Sequence, residues 1–275
     1  MKFIFYNYFP LLSNGHIIDS TYKHRKVHHN YPNFDVNNIK ENDFVFVKND
    51  KIDFFFTNYF PKIKNKFNLI TAVGDIDTTN KYLKFANSEK INKWIGTNII
   101  FSHHKIIKVP IGFQENELPG GDQNMLDELH NKSKKIDDKE NKVYVTYINK
   151  NTHSSRNNLY DKLKNKNFIV IENNCLDFKQ YMENINNYKF VICPRGRGAD
   201  THRFYEVMLM NSIPIVEKSG LDDLYNKFPC IIIDDFKNIT NEILDNFKID
   251  EEKMKNIEKY LIINNLKSFL INKCK

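Results

Sequence analysis

Apolar runs of four or five residues, set apart by polar segments rich in asparagine and lysine, recur through the second half of the chain. Residues 143–147, 168–171, 190–193, 213–216 and 230–233 have the length and apolar content of buried strands. Between them, stretches starting near Arg156, spanning 177–186, opening behind Asp200 or Thr201, spanning 221–226 and starting at Thr240 predict helices. Strands that alternate with helices at this spacing demand parallel pairing through right-handed crossovers, so the fold class is α/β. The first half is less regular. Residues 1–10, 43–48, 67–73 and 106–112 read as strands, 52–61 as a short aromatic helix or turn, and 89–98 as an amphipathic helix with Ile91, Trp94 and Ile95 on one face. A break at Pro119-Gly120-Gly121, a short helix at 125–130 and a nearly all-polar 132–142 give a linker over 118–141, between units at 1–117 and 142–250. Met254, Ile257, Leu261, Leu266, Phe269 and Leu270 mark the apolar stripe of one terminal helix within 251–275.

The chemistry concentrates in the run Phe190-Val191-Ile192-Cys193-Pro194-Arg195-Gly196-Arg197-Gly198-Ala199-Asp200-Thr201-His202-Arg203-Phe204-Tyr205-Glu206. Pro194 ends the strand because it has no N–H for the ladder, while Gly196 and Gly198 permit backbone angles that other residues resist. Asp200 or Thr201 can cap the following helix, and Arg195, Arg197 and Arg203 add full charges to its partly positive first turn. A phosphate group is the natural guest. Glu206 shares a helix face with Arg203, either as its ion-pair partner or as an acceptor for ribose hydroxyls. The loop has no glycine-lysine-serine/threonine and no third glycine, which disfavours a nucleotide triphosphatase or a simple dehydrogenase.

Ligands of parallel sheets bind beyond the carboxyl ends of the strands. By that rule Arg156 is a second diphosphate contact or else a solvated helix start, and Lys218 and Ser219 can touch the base or the phosphates. Asp75 and Asp77, just after the strand at 67–73, are either a general base for an acceptor hydroxyl or helix caps, with His103 a weaker base candidate.

The run from Phe190 to Glu206, followed by Asn211-Ser212-Ile213-Pro214-Ile215-Val216, Ser219, Leu221-Asp222-Asp223-Leu224-Tyr225 and Pro229-Cys230-Ile231-Ile232-Ile233-Asp234-Asp235-Phe236, resembles the donor-binding half of exostosin-like glycosyltransferases. Asn211-Ser212 stands where glycine-cysteine is usual in that family. In the first half the likeness is looser: a strand, an aspartate-bearing turn, a segment with Trp94 that ends in asparagine, and Pro110-Ile111-Gly112. The resemblance implies a GT-B fold, two Rossmann-like domains with parallel sheets facing a cleft, and a terminal helix that crosses back to brace the first. It also implies inverting, metal-independent transfer of a sugar from a nucleoside diphosphate of UDP or GDP type to a glycan or other hydroxyl acceptor. Arg156, Arg195, Gly196, Arg197, Gly198, Asp200, Thr201, His202, Arg203, Glu206, Lys218 and Ser219 would bind the donor, with no cofactor and no metal. The competing class is a non-catalytic nucleotide- or polyanion-binding protein on the same scaffold.

Composition changes this picture little. The net charge of +7 comes from dispersed lysines in an Asn-, Lys- and Ile-rich chain, so an anionic donor accounts for it as well as nucleic acid, which is not expected as a partner. Cys175, Cys193, Cys230 and Cys274 show neither pairing nor metal-ligand spacing, which fits a reducing compartment. His24, His28 and His29 fall in a polar segment at 16–38 read as a mobile basic loop and not as a zinc site. No stretch has the length of a signal peptide or membrane span, so a soluble cytoplasmic protein is expected.

Overall fold

The structure, a computed structural model, describes residues 2–4, 8–14, 16–18 and 34–274. Strands β1 (His16–Ile18), β2 (Phe44–Lys48), β3 (Phe67–Ala72), β4 (Ile91–Gly96) and β5 (Ile106–Lys108) form one parallel sheet in sequential order. A second parallel sheet contains β6 (Glu140–Val145), β7 (Ile169–Ile171), β8 (Tyr188–Ile192), β9 (Ile213–Glu217) and β10 (Ile231–Ile233), in the order β10-β9-β8-β6-β7. Ten α-helices accompany them among the described residues: α1 (Ile52–Asn58), α2 (Leu83–Ala86), α3 (Gln123–Asn131), α4 (Leu159–Leu163), α5 (Phe178–Ile185), α6 (His202–Leu209), α7 (Asp222–Tyr225), α8 (Asn241–Asp245), α9 (Glu251–Leu261) and α10 (Ile263–Cys274). The order of the second sheet fixes its binding edge. The chain runs from β6 out to β7 and back across to β8, so the carboxyl ends of β6 and β8 flank a topological switch point, where open α/β sheets form a crevice.

Three expectations need correcting. Residues 89–98 contain strand β4 and not a helix. Phe67 pairs with Ile91 but Leu69 with Trp94, so β4 carries an extra residue, and this bulge places Ile91 and Trp94 three apart, as on a helix face. Trp94 is fully buried among Phe56, Tyr82 and Phe101, and its indole N–H donates to Thr71 Oγ1 at 2.9 Å.

The first sheet begins at His16–Ile18, inside the segment read as a basic loop, whereas Phe9–Leu12 is a 3-10 turn and Phe3 makes only an isolated bridge. His24, His28 and His29 lie outside the described residues.

The terminal stripe belongs to two helices. The chain breaks at Ile262, whose extended backbone bridges Phe3, and Ile4 N donates to Leu261 O at 2.7 Å while Ile263 N donates to Lys2 O at 3.0 Å. The end of α10 returns to the first sheet, where Asn92 Nδ2 on β4 donates to Cys274 O. One cluster of buried apolar side chains consequently runs from Ile70 and Ile95 through Phe204 and Tyr205 to Tyr260 and Leu266. Within the segment read as a linker, α3 buries Leu126 and Leu129, and His130 Nδ1 donates to Leu209 O at the end of α6.

Candidate functional site

The glycine-arginine loop after β8 is a seam between the two sheets. Arg195 Nη2 pairs with Asp77 Oδ2 at 2.7 Å, and Asp77 Oδ1 accepts from Ala199 N at 2.8 Å. Asn98 Oδ1 accepts from Asp200 N at 2.8 Å. The Asp200 carboxylate is buried and receives four donors: Ile111 N and Tyr205 O–H on Oδ2, Thr201 N and Tyr225 O–H on Oδ1. Burial pushes this carboxyl up to about 6 against the pull of those hydrogen bonds. His202 Nδ1 donates to the carbonyl of Gly112, a residue held at φ 73° with Ile4 O close behind its Cα.

The glycines do not serve as expected. Neither Gly196 nor Gly198 has a positive φ. Gly198 is needed for close approach instead, since a Cβ there would meet Asn98 Nδ2 at 2.8 Å, whereas Gly196 has room. Asp200 turns its side chain into the seam, and Thr201, at the N-cap of α6, makes no side-chain cap.

Behind the seam, at the switch point, lies a cavity of about 410 Å³. Its walls come from the ends of β6 (Tyr144, Thr146, Tyr147), β7 (Glu172, Asn174) and the first turns of α6 (Thr201, His202, Arg203, Glu206), with Phe178 and Tyr181 of α5 opposite. Arg203 is the unusual group. Its Nη2 donates to Tyr147 O at 3.2 Å, its guanidinium carbon lies 6.0 Å from the Tyr181 ring centre, and Nε and Nη1 are buried with no partner. Unpaired donors on a buried cation are costly unless something fills them. Glu206 Oε2 accepts from Tyr181 O–H at 2.8 Å, and burial raises its carboxyl above the usual carboxylate range. Arg203 and Glu206 make no direct ion pair, which removes the simpler of the two readings of their spacing.

The other sequence-predicted residues separate into three groups. Arg156 also lines the cavity, but its Nε and Nη2 donate to the carbonyls of Arg195 and Pro194 at 2.7 and 3.0 Å, so its first task is to hold the loop. Arg197 is exposed on the loop, and Lys218 pairs with Asp234 at 2.7 Å while Ser219 closes a turn with Leu221 and Asp222. Lys218 and Ser219 line a smaller recess of about 210 Å³ against Ile100, apart from the larger cavity.

The three candidate bases are also dispersed. Asp77 is committed to Arg195 and Ala199, and Asp75 is exposed two residues earlier. His103 bonds Asn87 Oδ1 and Lys105 N beside the start of β5, at the amino-terminal edge of the first sheet, and so lies at the opposite end of the strands from the cavity. Sequence reasoning missed Glu172, Asn174 and Tyr181; the strand-end rule applied to 168–171 would have pointed to the first two.

No cluster of three or more His, Cys, Asp or Glu side chains with metal-ligating geometry occurs among the described residues, and no helix among them is long and apolar enough to cross a membrane. No protein-family model matches the chain, and no curated protein matches it.

Proposed function

We propose that this chain is a glycosyltransferase of the exostosin-like kind, with its two sheets in a GT-B arrangement, that moves a sugar from a nucleoside diphosphate to an acceptor hydroxyl. The observation that carries the reading is the pair of unpartnered, buried donors on Arg203, a side chain that lines the cavity at the switch point of a parallel sheet. A diphosphate supplies the acceptor oxygens these donors lack, and the guanidinium stabilises the charge that grows on it as the glycosidic bond breaks. Glu206, one turn into α6 and held by Tyr181, accepts from ribose hydroxyls in this reading. Asp77 ties the halves together through Arg195, which leaves Asp75 as the acceptor-side base.

The engagement of Asp77 also favours a second reading, a nucleotide-binding protein without transfer, and the two differ in whether bound donor is turned over. A thermal-shift screen against UDP, GDP, CDP, ADP and their common sugars, with EDTA and with magnesium, tests the shared part. A ligand of the native state at about a hundred times its Kd adds roughly 2.7 kcal/mol, a rise of several degrees. The expected result is a shift with a nucleoside diphosphate that EDTA leaves unchanged. No shift with any of them contradicts the nucleotide site.

A further inference from the structure

We infer that the cavity selects guanine, so that the donor is a guanosine diphosphate sugar; this rests on the nucleotide-sugar reading above. The carboxyl ends of β8, β6 and β7 stand side by side, and neighbouring strands lie about 4.8 Å apart. Arg203, at the start of α6 after β8, reaches across to Tyr147 O behind β6, the strand next to β7, so its guanidinium lies between one and two strand spacings, roughly 5–10 Å, from the residues behind β7. A ribose and a base extending from a diphosphate on Arg203 cover that span and end against Glu172.

Glu172 is held in place. Its N–H donates to Val145 O at 2.8 Å, its carbonyl accepts from Tyr160 O–H at 3.3 Å, and its Oε1 accepts from Asn174 N at 2.8 Å, while Oε2 has no partner among the described residues. Tyr147 and Phe178 line the same cavity and supply aromatic rings for stacking, which every base accepts alike. Discrimination falls to the polar edge.

A carboxylate only accepts hydrogen bonds. Guanine presents two parallel donors, N1–H and the N2 amino group, which match the two oxygens of one carboxylate. Uracil presents a single N3–H between two carbonyl oxygens, so a carboxylate that takes that proton faces a lone pair on either side. Adenine and cytosine each present one amino group beside a ring-nitrogen acceptor. The remaining capacity of Glu172 therefore fits guanine and opposes uracil.

The test is the titration of the whole chain with GDP, UDP, ADP and CDP by calorimetry, repeated on Glu172→Gln. A bidentate pair of this kind discriminates by about tenfold or more, so the wild type is expected to bind GDP at least about tenfold tighter than UDP. In Glu172→Gln an amide replaces one acceptor with a donor and matches the N3–H and O4 of uracil, and the preference is expected to fall below about threefold. Wild-type affinity for UDP equal to or above that for GDP overturns the guanine assignment and leaves the nucleotide site in place. An unaltered preference in Glu172→Gln overturns the role of Glu172, and no binding of any nucleoside diphosphate removes the nucleotide site and this inference together. Glu172 is partly buried, and unchanged melting of the unliganded variant shows that the variant is folded.

Discussion

Arg203→Met is expected to weaken nucleoside diphosphate binding by about a hundredfold, roughly 3 kcal/mol, without unfolding the protein. The size follows from two charge-assisted hydrogen bonds, one from Nε and one from Nη1, that nothing else in the site supplies. The absence of unfolding follows from the same atoms. In the unliganded protein those donors are buried without acceptors, so removing them relieves a desolvation cost that offsets the lost bond to Tyr147 O and the lost contact of the charge with the Tyr181 ring. Methionine keeps most of the apolar stem packed beside Tyr181. Titration calorimetry and thermal unfolding of the same preparation check both halves. A variant that binds normally removes Arg203 from the site, and one that unfolds shows that the side chain is structural.

The second large effect is on stability. Asp200→Asn is expected to cost about 3 kcal/mol at pH 7, although it removes a buried charge. Both carboxylate oxygens face a backbone N–H, Ile111 on one and Thr201 on the other, so whichever oxygen becomes an NH2 group points at a donor that cannot turn away. The loss also falls on the seam, where Ile111 comes from the first sheet's side and Thr201 from the second. The pH dependence has a definite sign. The folded carboxyl titrates at about 6 and the unfolded one at the ordinary aspartate value of 3.8, so between those limits the native state holds a proton that the unfolded chain has lost. This term therefore weakens the wild type as pH rises from about 4 to 6 and is flat above, the whole window being worth roughly 3 kcal/mol. Asparagine lacks it. The deficit of the variant, measured by denaturant unfolding, is expected to narrow as pH rises from 4 to 7; a deficit independent of pH contradicts the buried-carboxylate account.

The second sheet was legible in the sequence because each of its strands is a short apolar run flanked by turn residues, and the motif from Phe190 to Glu206 announced the loop and helix that frame the cavity. Arg203 and Glu206 were found by their place in that helix. The destinations of the other charges were not legible, since Arg195 meets Asp77 across 118 residues of chain and nothing local to either announces the other. Glycines at 196 and 198 read as aids to a turn, yet Gly198 answers to the side chain of Asn98, which is a tertiary requirement. The bulge in β4 defeated periodicity outright, because an extra residue in a buried strand reproduces helical spacing. Ile262 breaks the terminal helix without glycine or proline, because its backbone is drawn into pairing with Phe3.

The measurement that tests the central proposal most directly is the release of nucleoside diphosphate from nucleotide sugars by the purified chain in EDTA. Water stands in for the unknown acceptor, so turnover is expected to be slow, to yield the diphosphate and free sugar, and to disappear in Arg203→Met. Recovery of every donor intact from a protein that binds it tightly contradicts glycosyl transfer and leaves a nucleotide-binding protein.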